Sequence, residues 1–182
     1  MAFLSQLKPL YRLLREESGL AAMELALVAG TLSTVMLNGV EIARFYFAKM
    51  EVQNATQMAT QAVWKTCDTP SKSPVTINCP ARTTVITNAL QSTSLGSSVS
   101  LSTNYPTEGY YCASTTDGTL VNVGAVTSPK PTSCSPSGGA SDTPGDYIVI
   151  QAQYTYSPLF NGITIGSSLP TTITSSNKMR IQ

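Results

Sequence analysis

The chain has 182 residues, a net charge of +1 and only 12% charged residues. Its few basic residues are scattered beyond the amino terminus, so we predict no nucleic-acid partner. The chain contains no histidine, which excludes Ser–His–Asp and Cys–His nucleophile sites and removes the commonest zinc ligand. We therefore predict no enzyme activity, no cofactor and no metal site. The length allows one domain beyond an amino-terminal segment.

A short basic segment at the amino terminus precedes a long apolar run. Lys8, Arg12 and Arg15 supply the basic charge, and the apolar run covers the 21 residues 20–40. At about 1.5 Å per residue, a helix of this length spans a bilayer. Because basic residues favour the cytoplasmic side, we expect the chain after residue 40 to lie outside the cytoplasm.

One carboxylate, Glu24, interrupts the start of the apolar run. An acidic residue inside a membrane helix costs about 2.5–3.5 kcal/mol on insertion scales and indicates a functional site with a partner. Two plainer interpretations are an uncleaved signal anchor and a cleaved secretory signal peptide, with Glu24 reaching to the membrane surface. The run is longer than a signal-peptide core, and its best cleavage site, Val28-Ala29-Gly30, is poor.

The helical pattern continues past the apolar run to about residue 65 without a proline. In this second half, small apolar residues recur at spacings of 4, 3, 4 and 3 and form one stripe: Ala48, Val52, Ala55, Ala59 and Ala62. The stripe predicts an amphipathic helix that packs closely on another element. Glu41 and Arg44 lie at positions i and i+3 outside the stripe. We predict that they form a solvated ion pair worth a few tenths of a kcal/mol.

Beyond residue 66, serine, threonine, proline and glycine dominate, and short β-branched or aromatic runs predict strands. The predicted strands are 75–77, 99–102, 110–112, 120–123, 146–156 and 171–181. A helix is predicted for residues 82–95. Residues 128–145 contain four prolines and three glycines, which predicts a loop. The pattern as a whole predicts an α+β fold, in which the long helix precedes a small domain with an antiparallel sheet.

Four cysteines follow the apolar run: Cys67, Cys79, Cys112 and Cys134. The predicted orientation places them outside the cytoplasm, where disulfides persist. Two bridges can be formed in three ways. We expect Cys67–Cys79 and Cys112–Cys134, because closure between neighbours in sequence is the simplest. The spacing includes no C-x-x-C pair, so it does not favour zinc.

Two smaller groups of residues leave alternatives open. Six tyrosines of the predicted domain form either a binding surface or part of the packing on the sheet: Tyr105, Tyr110, Tyr111, Tyr147, Tyr154 and Tyr156. Asp142 and Asp146, near Gly145, suggest calcium only weakly, because their spacing does not fit an EF-hand.

Three segments of the chain carry recognisable motifs. The first is residues 18–28, Ser-Gly-Leu-Ala-Ala-Met-Glu-Leu-Ala-Leu-Val, and the second is residues 39–46, Gly-Val-Glu-Ile-Ala-Arg-Phe-Tyr. The third is residues 147–158, which include Tyr-Thr-Tyr-Ser-Pro at 154–158, with the late Lys-Met-Arg of residues 178–180. In this order they resemble the processing site, the motif around a Glu and an Arg (with Ala43 where glycine is usual) and the closing segment of TadE-like minor pilins (pseudopilins) of the tight-adherence (Tad) type IV pilus family. Residues 66–145 carry no motif of the family.

The resemblance implies that a prepilin peptidase cuts between Gly19 and Leu20, so that Glu24 becomes the fifth residue of the mature chain. It also implies methylation of the Leu20 amine, and pairing of that amine with Glu24 of a neighbouring subunit. The implied organisation is a leader at 1–19, a helix at 20–65 that spans the membrane at 20–40, and an extracytoplasmic β-rich domain at 66–182.

The resemblance further implies a set of partners and a location. The partners are the peptidase, the major pilin, other minor pilins, the inner-membrane assembly platform and the lipid bilayer. The protein starts in the bacterial inner membrane, with its domain in the periplasm, and then moves to the pilus and cell surface. Two alternatives remain: a pseudopilin of a type II secretion system, which usually starts with Phe-Thr-Leu, and a signal-anchored extracytoplasmic binding domain.

Overall fold

The structure is a computed structural model that describes residues 17–139, 141–160, 162 and 164–181. The basic leader residues Lys8, Arg12 and Arg15 lie outside the described residues. The chain divides into two compact units. The first consists of the chain up to residue 43 together with 158–169, and the second consists of 44–157 together with 170–182.

Helix α1 covers Glu17–Cys67, which confirms the long helix predicted for 20–65 and extends it at both ends. It contains a window with a mean hydropathy of 1.8, and by length and composition it can cross a bilayer. Two further helices follow, α2 at Val75–Asn78 and α3 at Arg82–Leu90. The predicted helix at 82–95 is therefore confirmed in its first two turns, and a 3₁₀ turn at Gly96–Ser98 follows.

An antiparallel sheet of five strands forms the centre of the second unit. The strands are β1 at Val99–Leu101, β2 at Thr107–Ala113, β3 at Leu120–Ala125, β4 at Gly145–Thr155 and β5 at Thr172–Arg180. The central strand is β4, which pairs with β5 along one edge and with β2 and then β1 along the other. Strand β3 pairs with β2 at the outside. These strands confirm five of the six predicted segments and the α+β class.

The core of the second unit lies between α1 and one face of the sheet. That face carries Ile148, Ile150 and Ala152, all fully buried. The helix contributes a buried face wider than the predicted stripe: Ala48, Val52, Ala55, Thr56, Ala59, Thr60, Val63 and Cys67. Ala62, predicted to be part of the stripe, is partly exposed. Asn177 Nδ2 of β5 donates to Thr60 Oγ1 at 2.8 Å and links the helix to the sheet.

The predicted strand at 75–77 is wrong, because this segment forms α2. The carboxylate of Glu108, from β2, accepts hydrogen bonds from Val75 N at 2.8 Å and Thr76 N at 2.6 Å. It also accepts one from the Thr76 hydroxyl at 2.6 Å. An acidic side chain that binds the first amides stabilises a helix start, so this distant residue favours the helical conformation of the segment.

Both disulfides join cysteines that are neighbours in sequence, as expected. Cys67, at the end of α1, pairs with Cys79, which directly follows α2. Cys112 of β2 pairs with Cys134 in the loop between β3 and β4. This loop includes a 3₁₀ turn at Ser135–Ser137, and its predicted last residue, Gly145, is instead the first residue of β4.

Candidate functional site

The amino-terminal half of α1 exposes a long apolar surface. Leu20, Leu25 and Leu27 are 75%, 69% and 71% exposed, and Met23 is 67% exposed. A surface of this kind is unfavourable in water, at about 25 cal/mol per Å² of apolar area. An exposed apolar helix face of this length fits a helix that lies in a membrane or packs against another apolar surface.

The residues predicted for processing and assembly lie together at the start of this surface. Gly19 and Leu20 lie in the first turn of α1, and no atom of the described residues would lie within 4 Å of a Cβ added to Gly19. The carboxylate of Glu24 is exposed one turn further on. Within the described part of the chain, Glu24 makes no hydrogen bond or ion pair.

A second polar site in the first unit was missed by the sequence analysis. The carboxylate of Glu41 accepts hydrogen bonds from the backbone amides of Leu159, at 3.1 Å, and Phe160, at 3.3 Å. One turn earlier, Asn38 Oδ1 accepts from Ile165 N at 2.9 Å. Together these side chains hold the described residues of the segment 158–169, which we call the latch segment, against α1.

The solvated ion pair predicted for Glu41 and Arg44 needs correction in one respect. Glu41 is fully buried, so its side chain is not on the solvated face of the helix. A buried carboxylate is stable only when it is hydrogen-bonded, and the latch amides supply these bonds. The pairing with Arg44 itself stays a prediction. The only sequence signal was the presence of two polar residues, Asn38 and Glu41, at positions i and i+3 near an apolar helix segment.

Gly166 packs directly on Glu41, and this contact gives a testable prediction. A Cβ at Gly166 would lie 2.9 Å from Pro158 Cβ and 3.0 Å from Glu41 Cγ. Because such contacts force a shift, we expect Gly166→Ala to loosen the latch segment by about 1–2 kcal/mol. Chymotrypsin should then cut after Phe160 about tenfold faster, in protein held in detergent micelles.

The matched control for this prediction is Gly39→Ala. Among the described residues, a Cβ at Gly39 would meet no atom within 4 Å, so the cleavage rate of this variant should not rise. If Gly166→Ala is cut no faster than the unmodified chain, Glu41 does not hold the latch segment in the way described.

The second unit contains a buried carboxyl group, Asp146, which is close enough to feel the charge of Glu108, the partly exposed residue that caps α2. Asp146 is only 4% exposed, its Oδ2 accepts a hydrogen bond from the Ser73 hydroxyl at 3.4 Å, and its Oδ1 lacks a partner among the described residues. Burial, followed by the nearby charge of Glu108, raises the pKa of Asp146 from 3.8 to about 6. The described residues contain no group of three potential metal ligands.

This raised pKa predicts that the domain is more stable in acid than at neutral pH. The folded state holds the proton of Asp146 up to about pH 6, whereas the unfolded state releases it near pH 4, so stability falls as pH rises through this window. The expected loss is about 1–3 kcal/mol. Asp146→Asn should remove this loss of stability with rising pH. It should also raise the urea midpoint at pH 7.5, measured by the fluorescence of Trp64.

The control is Asp68→Asn, which removes an exposed carboxyl group directly after Cys67, at the end of α1. This variant should show the same dependence of the urea midpoint on pH as the unmodified chain. Equal pH profiles for the unmodified chain and for Asp146→Asn would mean that Asp146 does not have a raised pKa.

Comparison of this chain with protein-family models, with characterised proteins and with solved structures gives no significant match.

Proposed function

We propose that this protein is a TadE-like minor pilin of a Tad-type pilus. In this proposal a prepilin peptidase removes residues 1–19, and the mature subunit takes part in pilus assembly and surface adhesion. Before assembly, α1 anchors the protein in the inner membrane and the disulfide-bonded domain lies in the periplasm. The major pilin, other minor pilins and the inner-membrane assembly platform are its proposed partners.

The observation that carries the proposal is the surface of α1 around Glu24. An exposed apolar helix face with a single exposed carboxylate, five positions after Gly19, fits a helix that leaves lipid for the core of a filament. A fully solvated helix would not need the apolar face, and a helix that only anchors the chain would not need the carboxylate, which makes insertion costlier.

The proposed chemistry at this site is the pairing of two charges between subunits. Cleavage after Gly19 creates an ammonium group on Leu20, which can pair with Glu24 of a neighbouring subunit. A carboxylate buried among helices is costly when it is alone, and its pairing with an ammonium group in one geometry favours a single axial stagger. The pair therefore selects the arrangement of subunits more than it adds stability.

Processing by the peptidase provides the direct test of the proposal. Co-expression with a prepilin peptidase should shorten the chain by the leader, and Gly19→Phe should block the shortening because its side chain obstructs the peptidase cleft. Gly30→Ala is the control, because Gly30 is also open in α1 but lies away from the proposed cut. If the unmodified chain is not shortened, or if Gly19→Phe is shortened equally, the proposal fails.

A further inference from the structure

The latch segment, residues 158–169, contains no charged residue. Among its described residues it exposes two large aliphatic side chains, Leu159 at 58% and Ile165 at 46%. The surface of a domain that faces only water usually interleaves charged side chains with its few exposed apolar ones. An uncharged segment that exposes large aliphatic side chains therefore indicates a contact with an apolar partner.

Hydrogen bonds fix the level of the latch segment along α1. Ile165 N donates to Asn38 Oδ1 at 2.9 Å, and Leu159 N donates to the Glu41 carboxylate at 3.1 Å. Asn38 lies two residues before the end of the apolar run at residue 40, and Glu41 lies one residue after it. At about 1.5 Å per residue, both attachment points are within about 3 Å of that end along the helix axis. When residues 20–40 span a bilayer, the latch segment is therefore at the level of the membrane surface.

The latch segment also covers the charge of α1 that lies at this level. Glu41 is the only charged residue in the sequence between Glu24 and Arg44. Its side chain is fully buried, and its carboxylate accepts hydrogen bonds from the latch amides. An uncovered carboxylate would favour water at this position, whereas a covered and hydrogen-bonded one does not oppose contact with lipid. The exposed residues of α1 at this level are apolar as well, with Val40 49% and Ile42 36% exposed.

We propose that the latch segment is a second membrane contact, with Leu159 and Ile165 inserted at the boundary between lipid headgroups and acyl chains. Apolar side chains at this boundary bind a membrane through the area that they bury. The bilayer is favoured over a protein partner, because lipid already surrounds the end of a membrane-spanning helix at this level. Ser167 and Ser168 are exposed, and their hydroxyl groups can bond to lipid headgroups. The inference rests on the membrane-spanning α1 of the proposed function, and not on processing or assembly.

Tryptophan quenching in the full-length protein, reconstituted in phosphatidylcholine vesicles with or without brominated acyl chains, tests this proposal. Trp64 is the only tryptophan, so Trp64→Phe provides the background. In it, Leu159→Trp and Ile165→Trp report on the latch segment, and Val35→Trp, at a position 69% exposed, reports on the membrane span. The matched control is Ile77→Trp, at a position 57% exposed in α2, which a disulfide ties to the far end of α1. Brominated lipid should quench both latch variants at least about twofold more than the control.

The outcomes separate this proposal from the proposed function. Circular dichroism confirms that each variant is folded. If Val35→Trp is quenched but both latch variants are quenched no more than Ile77→Trp, the membrane span stands and the lipid contact of the latch segment is overturned. It is also overturned if quenching of the latch variants falls as the protein-to-lipid ratio rises, because a second copy of the chain then covers the segment. If Val35→Trp is not quenched, α1 does not span the membrane and the proposal falls with it. Failure of processing would instead appear as an uncut leader, which these measurements do not read.

Discussion

Replacing Glu24 by alanine is expected to abolish pilus formation in cells that depend on this subunit, while synthesis, membrane insertion and leader removal continue. Insertion should become easier, because the change removes a carboxylate that costs about 2.5–3.5 kcal/mol within the apolar run. The loss appears only at assembly, where the charge that selects the axial stagger is missing. Leader removal, membrane content and the yield of sheared pili are the three measurements.

Glu24→Gln sharpens this prediction, because it keeps the size and hydrogen-bonding capacity of the side chain and removes only the charge. If pairing with the Leu20 ammonium matters, the glutamine variant should assemble as poorly as the alanine variant. Thr34→Ala is the matched control: it also removes a polar group from the apolar run, but the Thr34 hydroxyl bonds within the helix, to Gly30 O at 2.9 Å. Normal piliation in both Glu24 variants would leave Glu24 without a role in assembly.

The second large effect is expected from the disulfides, which close loops with sequence separations of 12 and 22 residues. In the chain-entropy model, each closure stabilises the domain by about 3 kcal/mol. We therefore expect the double variant Cys67→Ala with Cys79→Ala to lose about 3 kcal/mol in urea unfolding followed by the fluorescence of Trp64. Alanine is the appropriate replacement because both cysteines are buried, and a serine hydroxyl would add an unsatisfied polar group.

The double variant at Cys112 and Cys134 provides the comparison. The Cys112–Cys134 bridge closes a longer loop, so this variant should lose the same stability or slightly more. The difference is small because the predicted stabilisation grows only slowly with loop length. Non-reducing peptide mapping of the unmodified protein should show both pairs. An unchanged urea midpoint in both double variants would contradict a stabilising role for these bridges.

Local sequence patterns predicted the elements whose structure depends on their own residues. Helix α1 was predicted from an apolar run followed by a proline-free amphipathic segment. Strand β4 was predicted from its alternation, in which Ile148, Ile150 and Ala152 share one face, and the structure buries all three. In both cases the periodicity of the side chains already defines which face is buried.

The incorrect predictions concern segments whose structure depends on contacts with residues far away in the sequence. Residues 75–77 look like a strand, but Glu108 caps them as a helix from 33 and 32 positions away. Glu41 looks like a surface residue, but the latch segment, more than 110 residues later, covers it. The residues around positions 75 and 41 do not indicate which distant residues will contact them.

The buried face of α1 and the packing of the tyrosines were predicted only in part. The stripe prediction omitted Thr56 and Thr60, because threonine counts as polar. Their hydroxyls bond to carbonyls of their own helix, Val52 O at 2.6 Å and Gln57 O at 2.8 Å, which allows burial. The two interpretations of the tyrosines also depended on contacts between distant residues: Tyr156 is buried and its ring contacts Phe45 of α1, whereas Tyr111 and Tyr147, from paired strands, contact each other and stay partly exposed.

The amino-terminal residue of the protein, extracted from membranes of cells that contain a prepilin peptidase, tests the account most directly. Sequencing or mass spectrometry of the amino-terminal peptide should find Leu20, with or without a methyl group, followed by Ala-Ala-Met-Glu. A chain that begins at Met1, or at any residue after Leu20, would contradict the proposed processing. It would also remove the ammonium group that the proposed role of Glu24 requires.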